Sequence, residues 1–463
     1  MKKNLFKILS MIFCVAFLMV GCATVSDVFD KNGNPIYFDE VEYFQGQVAQ
    51  IGDYIYYGNG YTASDGEDFN YGTAASTGYL ARLDVSGRLS YDDEVDNTDW
   101  QNTSPLNIQT VLSEKLIGYQ NQYMFALGSY LYFTSANTHR TSNLENDYTQ
   151  VSLFRIRFNG DGFEEIDTFR HDDSSFITVQ KGSDDNYYYV IKAPTADSTY
   201  NLYSIRIGSS IGETTTLVEN IESAVVSDEN STDKNIIFTQ NSETSLIETD
   251  TVKAVDFATG EVTTLDPGVA GTTVTLLGRE GDIVFYAYTY DGTEIYIKDL
   301  ANSDNYFYPT SANRFHSAET ISNIETAANG YVFLSNGSLM YKTLNLTRDA
   351  QQILSSDAFT DILFVDGDYV YYSNSTSIGR INVVDILNGN QNANQTLVTM
   401  TRIISGQCGY TGDYIYFYAQ LEASESDSDT SSDSDETETD TNYYMFRVDK
   451  SGDGHYELVG KTK

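Results

Sequence analysis

One short pattern returns eight times along this chain: a turn with Gly, Asp or Asn, then four large apolar residues. The four-residue runs start at Tyr54, Tyr130, Tyr187, Ile236, Ile283, Tyr331, Tyr369 and Tyr414. Of their 32 positions, 31 are apolar or aromatic, and Thr239 is the exception. A strand with one wet face alternates and would give about half that number. Both faces of these strands must therefore be covered. The starts lie 76, 57, 49, 47, 48, 38 and 45 residues apart, a spacing that suits four-stranded propeller blades. Short strands joined by hairpins and buried on both faces need a sheet on each side, which radial stacking supplies. A tandem of two-sheet sandwiches would leave half of each outer face polar.

The rest of each repeat agrees. A second segment such as Leu80-Ala81-Arg82-Leu83-Asp84 or Leu153-Phe154-Arg155-Ile156-Arg157 follows, then a turn such as Asn159-Gly160-Asp161-Gly162. Gly, Asn and Asp tolerate the left-handed backbone of tight hairpins. A short closing strand, as at Thr396-Leu397-Val398, completes most units. The 37 Tyr and 24 Phe, against five Pro, suit pleated surfaces. The expected fold is all-β: an eight-bladed β-propeller of four-stranded antiparallel blades over residues 41–460. The alternative is seven blades plus an irregular segment, because the fourth repeat has the weakest motif. Pro35-Ile36-Tyr37-Phe38 is a place where one more strand could join.

Tyr369-Val370-Tyr371-Tyr372-Ser373-Asn374, followed by Ile378-Gly379-Arg380-Ile381-Asn382, resembles bacterial members of the propeller group related to the YWTD repeats of the low-density-lipoprotein receptor. The resemblance covers nearly all of the chain beyond its first 40 residues and implies a propeller. Its motifs are structural. The YWTD tetrapeptide is absent, so receptor-type ligand roles are not implied.

The start reads MKKNLFKILSMIFCVAFLMVGC, with Lys2, Lys3 and Lys7 before a 13-residue run in which only Ser10 is not hydrophobic. That run is short of the roughly 20 residues a spanning helix needs and suits a secretory segment. Leu18-Met19-Val20-Gly21-Cys22 resembles the bacterial lipoprotein signal, which implies removal of residues 1–21 and lipidation of Cys22. Residues 22–40 are then expected to be a tether, and the address is the bacterial cell envelope, lipid-anchored and extracytoplasmic. Cleavage would leave Cys408 as the sole free thiol, so no internal disulfide is expected. It would also take the formal charge from −39 to −42, since three lysines and no acid leave. So acidic a body is a poor partner for nucleic acid, whose recognition needs clustered Lys and Arg.

Chemistry is sparsely signalled. His139, His171, His316 and His455 have no metal spacing between them, and no CxxC occurs. No catalytic residue and no resident cofactor is assigned. Gly208-Ser209-Ser210-Ile211-Gly212 has a nucleophile-elbow spelling, but it reads as a hairpin turn, not the strand-to-helix turn that chemistry needs. Asp449, Ser451 and Asp453, with Gly454 following, spell the first half of a calcium loop. Gly460 stands where the closing Glu should be, so a hairpin turn is the competing reading.

The connections between second and third strands are long in the last repeat (419–442), the first (58–78) and the second (134–151). In a closed ring these blades are consecutive and their loops crowd one sector of one face. Long loops on a rigid scaffold commonly carry binding. Tyr61, Phe69, Tyr71, His139, Arg140 and Tyr148 are the candidate contacts. The 422–442 stretch is an acidic run that repels itself and is expected to be a disordered, solvated spacer. The expected function is non-catalytic binding or scaffolding of a protein or glycan partner. The alternatives are a propeller enzyme acting on extracellular glycan and a structural envelope protein.

Overall fold

A computed structural model describes residues 27–30, 32–44, 48–59, 61–62, 68–69, 79–85, 109–112, 123–140, 146–172, 174–227, 234–241, 249–268, 271–288, 295–299, 321–343, 350–355, 361–403, 408–420, 443–452 and 456–458. They form eight sheets of three or more strands, plus one two-stranded ribbon. Seven of the eight carry at least four strands; the remaining one, 274–299, carries three among the described residues. The fourth repeat, whose motif is weakest, is nonetheless a full antiparallel sheet of four strands. The seven sheets with four or more strands match the seven-blade alternative, although the sheet that falls short is the fifth and not the fourth; all eight sheets are numbered as blades in chain order.

Every repeated apolar run is the second strand of its blade, and its side chains alternate between two different interfaces. In Tyr414–Gln420 of blade 8, Tyr414, Tyr416 and Tyr418 face blade 1, while Ile415, Phe417 and Ala419 face blade 7. In Tyr187–Pro194 of blade 3, Tyr187, Tyr189 and Ile191 pack toward blade 2, and Tyr188 and Val190 toward blade 4. The described residues hold eight apolar clusters, one between each pair of neighbouring blades. The cluster joining Ile55, Tyr57 and Leu83 of blade 1 to Tyr416, Tyr418 and Met445 of blade 8 closes the ring. Each fully buried side chain of this size contributes about 1.5–3 kcal/mol, so the doubly covered strands carry much of the stability.

A polar latch built on the arginine of the second segment recurs where blade 1 meets 2, blade 2 meets 3 and blade 7 meets 8. Arg82 is fully buried; its guanidinium lies 4.4 Å from the Tyr54 ring centre. Its Nη1 and the Tyr56 hydroxyl both donate to the Phe158 carbonyl of blade 2, at 3.3 and 2.7 Å. Arg155 stacks over Tyr130 and, with the Tyr132 hydroxyl, donates to the Gly208 carbonyl of blade 3. Arg380 stacks over Tyr369 and, with the Tyr371 hydroxyl, donates to the Lys450 carbonyl of blade 8. The carbonyls belong to turns after third strands. A strand pair in one blade thus ties down a turn in the next.

Residues 27–44, most of which fall in the span expected to be a tether, pack on the ring. Asp30 accepts from the backbone N–H groups of Asn32 and Asn34, both at 2.8 Å, and so folds a tight turn. Val28 is buried between blades 1 and 2, with Ile36 beside it. The strand Phe38–Phe44, called β1 here, then pairs antiparallel with Met124–Gly128, the innermost strand of blade 2. It is the strand that the Pro35–Phe38 stretch leads into. β1 also lies beside the innermost strands Val48–Ile51 of blade 1 and Gly409–Thr411 of blade 8. Lys181 of blade 3 reaches Glu40 at 3.7 Å. β1 therefore runs on the axial side of the ring.

Candidate functional site

Ring closure sets the geometry of the expected contact sector. The Tyr418 hydroxyl of blade 8 donates to the Gly58 carbonyl of blade 1 at 2.7 Å. Both residues stand where a second strand hands over to a long connection. Two of the three long connections therefore leave the ring side by side, and the third leaves from the adjoining blade 2.

Tyr61 and Phe69 are directly paired across a two-stranded ribbon, Tyr61–Thr62 with Asp68–Phe69, inside the blade 1 connection. His139 and Arg140 end an 11-residue strand, Tyr130–Arg140, and Tyr148 lies in its 12-residue partner, Asn146–Arg157. The pairing is interrupted between Asp147 and Val151, so Tyr148 sits in the irregular stretch. Such bulges bend and twist a hairpin. The blade 2 connection is thus largely a β-hairpin standing beyond the four-stranded sheet. Cys22, Tyr71, Asp453 and the acidic run 422–442 lie outside the described residues.

Asp449 and Ser451 are built into a turn. Asp449 Oδ1 accepts the Ser451 N–H at 2.6 Å, and the Ser451 carbonyl accepts from Arg380. The Gly452 carbonyl accepts from Gln395 at 2.9 Å. Any cation drawn to these oxygens would sit beside a guanidinium. Among the described residues no three His, Cys, Asp or Glu side chains are grouped to hold a metal. Ser210 lies in the bend between strands Tyr200–Ile207 and Thr215–Ile221, as its hairpin reading requires.

Two polar clusters escaped the sequence reading, and both lie on the same face as the long connections. In blade 3, Asp172 accepts from Ser174 N–H, Ser175 Oγ and Tyr200 OH, at 3.0, 2.9 and 3.0 Å. Burial pushes this carboxyl up, but the bonds from Ser175, Tyr200 and Ser174 outweigh it and hold it below the ordinary range. Lys192 is buried over the Tyr200 ring and donates to the Ser174 carbonyl at 2.8 Å. Burial lowers its pKa, with Asp172 opposing. Between blades 4 and 5, buried Asp266 accepts from the Tyr286 and Tyr288 hydroxyls at 3.0 and 2.8 Å and from Gly268 N–H at 2.9 Å. Nearby, Asp250 accepts the Val274 N–H at 2.7 Å. In both clusters the polar atoms are spent on one another, which fits loop anchoring. Beside the local bonds from Ser174, Ser175 and Gly268, the partners Lys192, Tyr200, Tyr286 and Tyr288 come from separate strands or blades, so no local motif announces the clusters.

No protein-family model and no curated protein matches the sequence. Several solved structures are similar at low identity. An oligogalacturonate lyase in complex with manganese is 11% identical over 69% of this chain and 86% of its own, with a TM-score of 0.41. A putative 6-phosphogluconolactonase from Bacteroides fragilis is 13% identical over 72% and 94%, with a TM-score of 0.41. An uncharacterized protein from Listeria monocytogenes is 10% identical over 75% and 94%, with a TM-score of 0.39.

Proposed function

We propose that this chain is a lipid-anchored lipoprotein of the bacterial envelope whose propeller binds a protein or glycan partner without chemistry. The YWTD-like repeats and the signal ending at Cys22 support this reading. The observation that carries it is the joining of blades 8, 1 and 2, so that the strands from which the long connections start stand side by side. A rigid ring that bears long loops suits recognition, because the scaffold costs little ordering on binding. The partner is approached against a strongly acidic body, which favours neutral or basic surfaces.

The test is an array of cell-wall and dietary oligosaccharides probed with the soluble chain from residue 24. Binding that is lost when residues 63–67 and 141–145 are excised supports the sector. Unchanged binding after both excisions places the site elsewhere. A second reading, a glycan-cleaving enzyme, draws on the exposed acids Asp39, Glu40 and Glu42 of the axial strand. Release of shortened oligosaccharide, abolished by Glu42→Gln, would favour it over simple binding.

A further inference from the structure

Residues 27–30 and 32–38 approach the ring at one end of the blades. At that end of the blades lie the turns between first and second strands, such as Gly52-Asp53 and Gly128-Ser129. The long connections lie at the other end. Asn159 Nδ2, in the turn after blade 2's third strand, donates to Asp27 Oδ1 at 2.8 Å. Ile36 and Val28 close over Gly52, where an added Cβ would meet Ile36 Cδ1 at 2.7 Å. β1 begins with Phe38 opposite Gly128 and ends with Phe44 opposite Met124. It therefore enters beside the short turns and leaves at the face of the long connections.

A second observation concerns surface chemistry. Four large hydrophobic residues are exposed among those described: Phe29 at 49%, Tyr37 at 66%, Val262 at 47% and Val384 at 38%. All four belong to the short-turn side. Phe29 and Tyr37 flank the entering chain itself. Val262 opens the fourth strand of blade 4, and Val384 lies in the helix Val383–Leu387 after the third strand of blade 7.

We infer that this short-turn face is the membrane-proximal face, with Phe29 and Tyr37 meeting the bilayer interface and the long connections displayed away from it. The inference rests on lipidation of Cys22. Cys22 precedes Asp27 by five residues, which span at most about 18 Å when fully extended. A six-residue strand already rises about 20 Å, so a lipid at Cys22 cannot pass around the rim to the opposite face. The Tyr37 ring, apolar with a hydroxyl at its tip, suits the headgroup level, and Phe29 adds exposed apolar surface beside it. The acidic body resists flush docking on anionic lipid, so the short linker, not charge, holds the ring near the surface.

The test uses lipidated protein in phosphatidylcholine vesicles carrying an acceptor dye on their headgroups. A donor is attached at Asp53→Cys, on the short-turn face, or at Asp197→Cys, in the blade 3 turn of the long-connection face. Both variants are made in a Cys408→Ser background, so the dye goes to the introduced cysteine. Energy transfer is expected to be clearly stronger from position 53 than from 197. Equal or reversed transfer overturns the orientation. Replacing Phe29 and Tyr37 together by Ser should lower transfer from position 53; no change would remove the aromatic contact from the proposal. The anchor is read separately. Cys22→Ala protein should no longer float with vesicles, and flotation at the wild-type level would overturn the lipid reading itself.

Discussion

Removing the Arg82 guanidinium tests whether the blades are tied by their buried latch as well as by apolar packing. In Arg82→Ala the side chain loses a 2.8 Å bond from Nε to Gln109 Oε1, the shared donation to the Phe158 carbonyl, and its stacking on Tyr54. Hydrogen bonds involving a charged group are worth about 1.5–3 kcal/mol each, and a desolvated cation–π contact about 2 kcal/mol. Against this stands the relief of no longer burying a charge. A net loss of about 4 kcal/mol results. Unfolding entropy is about 2.1 cal/mol/K per residue, so a ring of about 420 residues shifts by about 1 °C per kcal/mol. The expected fall in Tm is therefore about 4–5 °C by calorimetry. Arg82→Lys, which keeps the charge but not the fork, should fall by less. Arg206→Ala is the control, because Arg206 is exposed and such changes usually stay within about 0.5 kcal/mol. An Arg82→Ala shift no larger than that of Arg206→Ala would refute the latch.

Gly268 has φ +77, and an added Cβ would stand 1.9 Å from the Asp250 carbonyl. Gly268→Ala should therefore lower Tm by more than Arg82→Ala; an unchanged Tm would contradict that packing. Asp172 has its pKa depressed in the fold, so its contribution is present above the unfolded carboxyl value of about 3.9 and is lost as pH falls through the lower folded value. Asp172→Asn should flatten the acid limb of a stability–pH curve below pH about 4, and an unaltered limb would count against the hydrogen-bonded carboxylate. Cys408, with its thiol raised by burial and by Asp361, should resist maleimide at pH 8 in native protein and react in urea. Prompt native labelling would show that its site opens.

How the ring stands was legible in particular residues. Tyr369-Val370-Tyr371-Tyr372 is apolar at every position, and its side chains divide between the blade 6 and blade 8 sides. A run with no polar member has only that solution in a sheet, so repetition and hydrophobicity sufficed. The run Leu80-Ala81-Arg82-Leu83 is readable as a strand, but the arginine's task is not. Its acceptor at Phe158 lies 76 residues beyond Arg82, in another blade.

The sequence by itself determined the all-β class, the repeat, the doubly covered strands and the turn chemistry, because each follows from residues a few positions apart. Tertiary structure alone decided the rest. Phe38–Phe44 mixes acids with aromatics and shows no periodicity of its own that names a partner. It became the axial strand because Met124–Gly128, over 80 residues on, offers it an edge. The same holds for Asp266 meeting Tyr286 and Tyr288, and for Tyr418 meeting Gly58 across the closure. These contacts depend on which blade stands beside which. That order is a property of the closed circle, and no local stretch of chain contains it.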